Sequence, residues 1–165
     1  MPLYLLDTSV YGVLAEEDDR DYEVVKRVID YGKENRGNFV STFIIAKELD
    51  SENVDKSIKD AMLPEYYLSI SGVLEILHAE ESNNADKLAW NYIQKLGKRD
   101  AVKSMPDALN YAWASVGGVD FFVTRNRRGI LAENYRSLLK KSNSKFRLKF
   151  VEVVTPKQFA DYLFC

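Results

Sequence analysis

Four short stretches of the sequence place an oxygen-bearing side chain just after an apolar strand or near a helix start. These side chains are Asp7 in LLDTS, Glu48 in STFIIAKEL, Asp107 in PDALNYAWA and Asn126 in DFFVTRN. In an α/β chain, groups at the ends of parallel strands converge where ligands and metals bind. Clustered carboxylates repel one another, so a shared site needs protonation or a counter-charge. A hard divalent cation is the simplest counter-charge, and the pattern favours a metal site.

Each of these residues also has an ordinary structural explanation. Asp7 has the residue type of a helix cap, and Asn126 after a strand is typical of a turn. Residues 104–107 have the Ser-x-x-Asp spacing of a capping box, with proline near the first helical position. Glu48 fits a solvent-facing position on a short helix, with Asp50 or Glu52 as an alternative ligand. Sequence spacing alone does not bring the four residues together.

The predicted elements alternate along the chain. Strands are expected over residues 3–6, 39–43, 73–77, 119–124 and 148–154, and helices over residues 10–14, 21–34, 46–50, 58–64, 84–96, 106–116, 131–141 and 156–164. Strands separated by helices imply parallel pairing with helices on both faces. We therefore predict a three-layer α/β/α sandwich around a central, mainly parallel sheet of about four to five strands.

Length and composition fit one globular domain spanning residues 1–165. The chain has 46% hydrophobic and 29% charged residues, which is ordinary for a soluble protein. No apolar run reaches the roughly 18 residues of a membrane span, and the N-terminus lacks a signal-peptide pattern. Its one cysteine, Cys165, excludes an intramolecular disulfide. These features predict a cytoplasmic protein with no membrane partner.

The net charge of −2 conceals two blocks of opposite sign. Acidic residues predominate over residues 16–34, whereas residues 125–149 are strongly basic and contain one acid, Glu133. The basic block is suited to attract a polyanion, although a solvated basic face explains it equally well.

The four stretches, together with FVEVVTP at residues 150–156, resemble the PIN-domain ribonucleases in order and approximate spacing. The resemblance is to a small, single-domain, VapC-like member, and it is weakest over residues 51–103. It implies a compact parallel α/β sandwich and an endonuclease site that uses Mg²⁺ or Mn²⁺. No glycine-rich nucleotide-binding or Walker sequence follows the first strand, which disfavours a Rossmann-type protein.

The resemblance also implies a role for each site residue. Asp7 and Asp107 would be the principal metal ligands, and Glu48 a ligand or water-orienting base. Many family members carry Asp at the fourth position, where this chain has Asn126. An amide retains an oxygen ligand but removes a charge, so Asn126 is expected to be auxiliary and a second metal is in question.

Neighbouring residues have expected supporting roles. Thr8 and Thr124 would hydrogen-bond within the site. Arg125, Arg127 and Arg128 would grip phosphates, with a basic loop in solvent as the alternative.

Aromatic residues and two other titratable residues complete the predictions. Tyr11, Trp90 and Trp113 have rings suited to stacking on bases, although core packing is favoured for both tryptophans. His78, the single histidine, is expected at the surface or a helix end. Asp120 is expected at the far end of its strand and not among the ligands.

The implied activity is hydrolysis of RNA phosphodiester bonds. Many small relatives of this type are toxins of toxin–antitoxin pairs, often dimeric and inhibited by an antitoxin protein. An RNA-processing enzyme is a second possibility, and a noncatalytic RNA- or protein-binding module is a third. Asn126 favours the binding module, whereas retention of the three carboxylates opposes it.

Overall fold

The computed structural model describes residues 1–74 and 79–165. Strands and helices alternate along the chain as the sequence predicts. The strands are β1 Tyr4–Leu6, β2 Phe39–Thr42, β3 Gly72–Leu74, β4 Phe121–Val123 and β5 Glu152–Val154. The helices are α1 Thr8–Gly12, α2 Tyr22–Glu34, α3 Phe43–Leu49, α4 Lys56–Ser69, α5 Ala79–Ile93, α6 Lys98–Val116, α7 Arg136–Lys145 and α8 Pro156–Phe164.

The strands form one five-stranded parallel sheet in the order β3-β2-β1-β4-β5. In β1, Leu5 lies opposite Val40 of β2 on one side and Phe122 of β4 on the other. The chain first moves from β1 towards β3 and then crosses back to β4 and β5. Strand order therefore reverses between β1 and β4, the position at which parallel α/β sheets bind ligands. The predicted α/β/α fold is confirmed.

Helices cover both faces of the sheet. Helix α2 packs against α4 and α8, while α5 packs against α6 and α7. Val25, Val28 and Ile29 of α2 are buried at helical spacing, as its amphipathic pattern predicts. All three residues of β1 are buried, so the strand that leads to Asp7 is fixed in the core.

Helix α6 corrects the prediction for residues 104–107. The helix begins at Lys98, nine residues earlier than the Asp107 position, and Pro106 lies inside it. Ser104 is buried in mid-helix and is not an N-cap, so the capping-box interpretation is wrong. An interior proline removes one helical hydrogen bond, and packing of the buried face, including Ala108 and Tyr111, outweighs that loss. Helix α4 likewise continues past Pro64 to Ser69.

Several other predictions differ from the structure in extent. The strand predicted over residues 148–154 is restricted to β5, and short 3₁₀ turns precede α7 where its helix was expected to begin. Strand β3 begins one residue early, and residues 75–77 of the predicted segment lie outside the described residues, as does His78. Helix α8 matches its prediction, and Thr155 and Gln158 form a capping box at its start.

The predictions for the aromatic residues were partly correct. Trp113 packs against the core as expected, but Trp90 is 57% exposed, so core packing was wrong for it. Tyr11 is fully buried and has no face free for base stacking. Among the described residues, no helix is both long and apolar enough to cross a membrane.

Candidate functional site

Asp7 lies where the strand order reverses. It directly follows β1, and its backbone N–H donates to the carbonyl of Val123 at the end of β4 (2.9 Å). Its side chain is 6% exposed. The carboxylate oxygen Oδ2 accepts hydrogen bonds from Ser9 Oγ and Thr124 Oγ1, both at 2.9 Å. A buried carboxylate is thus held between the two strands by two hydroxyl groups.

The same hydroxyl groups also hold the loop that follows β4. Ser9 Oγ accepts from the backbone N–H of Arg125 (3.1 Å), and Thr124 Oγ1 accepts from that of Asn126 (3.1 Å). Thr124 therefore has the supporting contact that was predicted. The sequence prediction missed Ser9, although its place two residues after Asp7 in LLDTS was a usable signal.

Glu48 is positioned by the start of α3 and by α1. Thr42 caps α3 by accepting from the N–H of Ile45 (3.2 Å), and its hydroxyl donates to Asn110 Oδ1 on α6 (2.6 Å). The hydroxyl of Thr8 donates to Glu48 Oε2, so Thr8 orients this carboxylate. Thr42 and Asn110 thus link the helix of Glu48 to the helix of Asp107. Neither residue was predicted from the sequence.

Asp107 lies half-buried in the middle of α6. Burial raises the pKa of Asp107 to about 6, and the negative charges of Asp7 and Glu48 contribute, while the Arg128 guanidinium opposes the change. Burial also raises the pKa of Glu48, against the lowering effect of the Thr8 hydrogen bond and with a smaller contribution from the charge of Asp7. Carboxylates affect one another in this way only at short range. The fold therefore places Asp107 within electrostatic reach of two acids that are distant in sequence.

This donor set fits a hard divalent cation. All three side chains offer carboxylate oxygens, and their mutual repulsion is relieved by a positive ion. Within residues 1–74 and 79–165, no three His, Cys, Asp or Glu side chains are grouped closely enough to hold one ion together. Direct ligation by one or two carboxylates, with the others acting through water, is the arrangement that Mg²⁺ favours.

The predicted phosphate-binding arginines have different surroundings. Arg125 pairs with Asp19 (Nη2 to Oδ2, 2.9 Å) and with Asp21 (Nε to Oδ2, 2.9 Å). Arg127 forms an ion pair with Glu133. Arg128 is exposed, as is Asn126 at the predicted fourth position. Arg128 is the member of this group whose charge lowers the pKa of Asp107.

Asp120 lies at the opposite end of the sheet from Asp7. It precedes β4, accepts a hydrogen bond from the N–H of Leu3 (2.8 Å) and pairs with Lys149 (2.8 Å). These contacts agree with its predicted exclusion from the ligands.

Two open cavities border the carboxylates. The first, of about 770 Å³, lies between α6 and the segment after β4, and Lys103, Asp107 and Arg128 are among its lining residues. The second, of about 790 Å³, is mainly apolar and lies between α3 and α6, with Glu48 and Phe43 among its lining residues.

Comparison with known proteins gives a likeness in fold. The chain matches no protein-family model, and no curated protein is similar to it in sequence. Its structure is similar to a chain in the crystal structure of VapBC2 from Rickettsia felis bound to a DNA fragment from their promoter. The TM-score is 0.54 at 14% sequence identity, over 93% of this chain and 98% of that chain. The likeness supports a PIN-like fold, in agreement with the motif resemblance.

Proposed function

We propose that this protein is a metal-dependent endoribonuclease formed by a single PIN-like domain over residues 1–165. The observation that carries the proposal is the buried carboxylate of Asp7 where strand order reverses, together with the effect of the Asp7 and Glu48 charges on Asp107. The raised pKa values of Glu48 and Asp107 support a site that calls for a cation. The fold likeness to a chain of the VapBC2 complex is a second, independent support.

Asp7 and Asp107 would hold Mg²⁺ or Mn²⁺, directly or through water, with Glu48 as a further ligand. A bound divalent cation would supply Lewis-acid polarisation of the phosphodiester and a more acidic attacking water. Glu48, oriented by Thr8, would accept a proton from that water. Ser9 and Thr124 would keep Asp7 fixed during the reaction. Asn126 would assist as an exposed auxiliary group.

The proposed substrate is RNA, and the proposed setting is the cytoplasm. A toxin of a toxin–antitoxin pair, with an antitoxin protein as partner and a homodimer as its assembly, is the finer form of this proposal. The VapBC2 name of the structural neighbour supports it. A neighbouring reading frame for a small antitoxin would distinguish it from an RNA-processing role.

The first experiment is cleavage of labelled single-stranded RNA by the wild type and by Asp7→Asn, with Mg²⁺, Mn²⁺ or EDTA. We expect cleavage by the wild type with either metal. Asp7→Asn should lose at least about 100-fold in rate, because a single electrostatic contact to a reaction centre is worth that much. Its unfolding midpoint should be unchanged or raised, since the substitution removes like-charge repulsion.

Asp120→Asn is the matched control because it makes the same chemical change at the other end of the sheet. It should cleave at the wild-type rate. Full activity of Asp7→Asn would disprove the assignment of the site. Absence of both cleavage and metal binding in the wild type would favour the noncatalytic binding module.

A further inference from the structure

The cavity between α6 and the segment after β4 opens beside the proposed catalytic carboxylates. Asp107 forms part of its wall, together with Lys103 from the preceding turn of α6. The opposite wall comes from residues 127–135. Its volume of about 770 Å³ falls within the usual range of ligand pockets, which is roughly 300–1,000 Å³. A chain that reaches Asp107 from this side must cross the cavity.

The cavity lining carries the cations Lys103, Arg127 and Arg128 and the acids Asp100 and Asp107, and its cations are suited to an anion. Lys103 and Arg128 are exposed, and neither forms an ion pair with any part of the chain that the structure describes. Arg128 also lowers the pKa of Asp107 against the effect of burial, so its charge reaches the carboxylates. Arg127 differs because it pairs with Glu133. Two cations thus stand available beside an acidic centre that would otherwise repel phosphate.

The opposite wall of the cavity, residues 127–135, also carries groups that can contact a nucleobase. Tyr135 is half-buried and lines the cavity, and the exposed amide of Asn134 stands next to it. Aromatic rings stack on bases of any sequence, and amides hydrogen-bond to base edges. A base must leave its helix to make such contacts, which selects single-stranded RNA.

A close backbone approach maintains the shape of the cavity. Gly129, at its base, has a positive φ of 57°. A Cβ atom at this position would lie 2.9 Å from Ser104 Oγ on α6. Glycine therefore allows the turn to lie directly against the helix that carries Lys103 and Asp107.

We infer that this cavity binds a nucleotide of a single-stranded RNA next to the carboxylate cluster. Lys103 and Arg128 contact its phosphates, and Tyr135 stacks on its base. The inference rests on the proposed nuclease function and adds the position and strandedness of the substrate. It also leaves Arg125 out of the predicted phosphate contacts, since Arg125 is already paired with two aspartates.

The test measures binding of a labelled single-stranded RNA of about ten nucleotides by fluorescence anisotropy, in EDTA and at several salt concentrations. Lys103→Gln with Arg128→Gln should weaken binding about tenfold or more. It should also reduce the slope of log K against log salt by about 1.4, since each phosphate contact contributes about 0.7 for single strands. Lys140→Gln with Lys141→Gln removes the same charge from exposed positions of α7 and should leave the slope unchanged.

Stacking is tested at Tyr135. Tyr135→Leu keeps an apolar side chain that packs against the core, and it should lose about tenfold in affinity because it cannot stack. Tyr135→Phe keeps the ring and should bind as the wild type does. Unfolding midpoints of both variants show whether each protein remains folded at the assay temperature.

A cleavage assay with Mn²⁺ in parallel separates this inference from the proposed function. If the wild type cleaves RNA but the Lys103/Arg128 variant binds like the Lys140/Lys141 control, the cavity is not the substrate site and the nuclease proposal stands. If the cavity variants lose binding but the wild type never cleaves, the inference stands and the nuclease proposal fails. A wild type that binds no single-stranded RNA overturns the inference.

Discussion

Replacing Asp107 by asparagine should make the metal-free protein more stable at neutral pH. Burial raises the pKa of Asp107 from the ordinary value of 3.8 to about 6, with help from the charges of Asp7 and Glu48. The ionised side chain is therefore unfavourable in the folded protein. Asparagine has nearly the same shape and carries no charge, so it removes the unfavourable buried charge without leaving a cavity.

The size and pH dependence of the effect follow from the pKa difference of about two. At about 1.4 kcal/mol for each pKa unit, the ionised form loses about 3 kcal/mol if solvent screening is ignored. Asp107 is only half-buried, so screening reduces this to about 1–2 kcal/mol. Because the folded pKa lies above the unfolded pKa, the penalty is absent below about pH 4 and complete above about pH 6.

Thermal unfolding in EDTA at pH 7.5 and near pH 4 measures this effect. At about 2–4 °C for each kcal/mol in a chain of this size, Asp107→Asn should unfold about 2–8 °C higher at pH 7.5. The two proteins should unfold together near pH 4. Added Mn²⁺ should raise the midpoint of the wild type more than that of the variant, because binding to the folded state stabilises it.

Asp120→Asn is a control for which we expect the opposite change in stability at pH 7.5. Although burial acts to raise it, the pKa of Asp120 is held below its usual value by Lys149 and the Leu3 N–H. Its ionised form stabilises the fold above the unfolded pKa, and that contribution is lost as pH falls through the folded pKa. Asp120→Asn should therefore be less stable at pH 7.5. An Asp107→Asn variant that is less stable at pH 7.5, or equally shifted at both pH values, would refute the reasoning.

Two further substitutions test the loop that follows β4. Arg125→Gln removes both ion pairs with Asp19 and Asp21, so it should lower the unfolding midpoint by a few degrees and reduce the cleavage rate more than RNA affinity. Equal losses of rate and affinity would instead indicate a direct phosphate contact. Gly129→Ala should cost about 1–2 kcal/mol of stability in urea unfolding, because φ is positive and Ser104 is too close. Gly12→Ala, in open space at a helical φ of −56°, is its control and should stabilise slightly; similar effects at both positions would contradict the argument.

Local sequence signals predicted those parts of the fold that local interactions determine. The apolar run before Asp7 became a buried strand, and Thr155-Pro156 began the last helix where predicted. Alternation of strands and helices was sufficient to predict parallel pairing. The predicted helix start at Pro106 was wrong because a proline near a Ser-x-x-Asp spacing resembles a helix start. The actual helix is stabilised by burial of a face that runs along α6.

The contacts that complete the candidate site were not predictable in the same way. Thr42 and Asn110 are separated by 68 residues, and Arg125 and Asp19 by 106. No local pattern pairs such residues, because their meeting depends on how the strands are ordered in the sheet. The resemblance to PIN-domain proteins predicted the three acids and the hydroxyl groups of Thr8 and Thr124, but not that of Ser9. The contact between Ser9 and the backbone of Arg125 depends on β1 and β4 lying side by side, so no local pattern predicts it.

The position of Arg125 changes how the charge asymmetry of the sequence is understood. The acidic block and the basic block meet through this residue, whose guanidinium is held by Asp19 and Asp21. Its backbone N–H donates to Ser9, which in turn donates to Asp7. The ion pairs therefore anchor the loop that fixes the buried carboxylate. Because Arg125 is occupied in this way, we expect attraction of a polyanion to come from the exposed cations Lys103 and Arg128, which line the cavity beside Asp107.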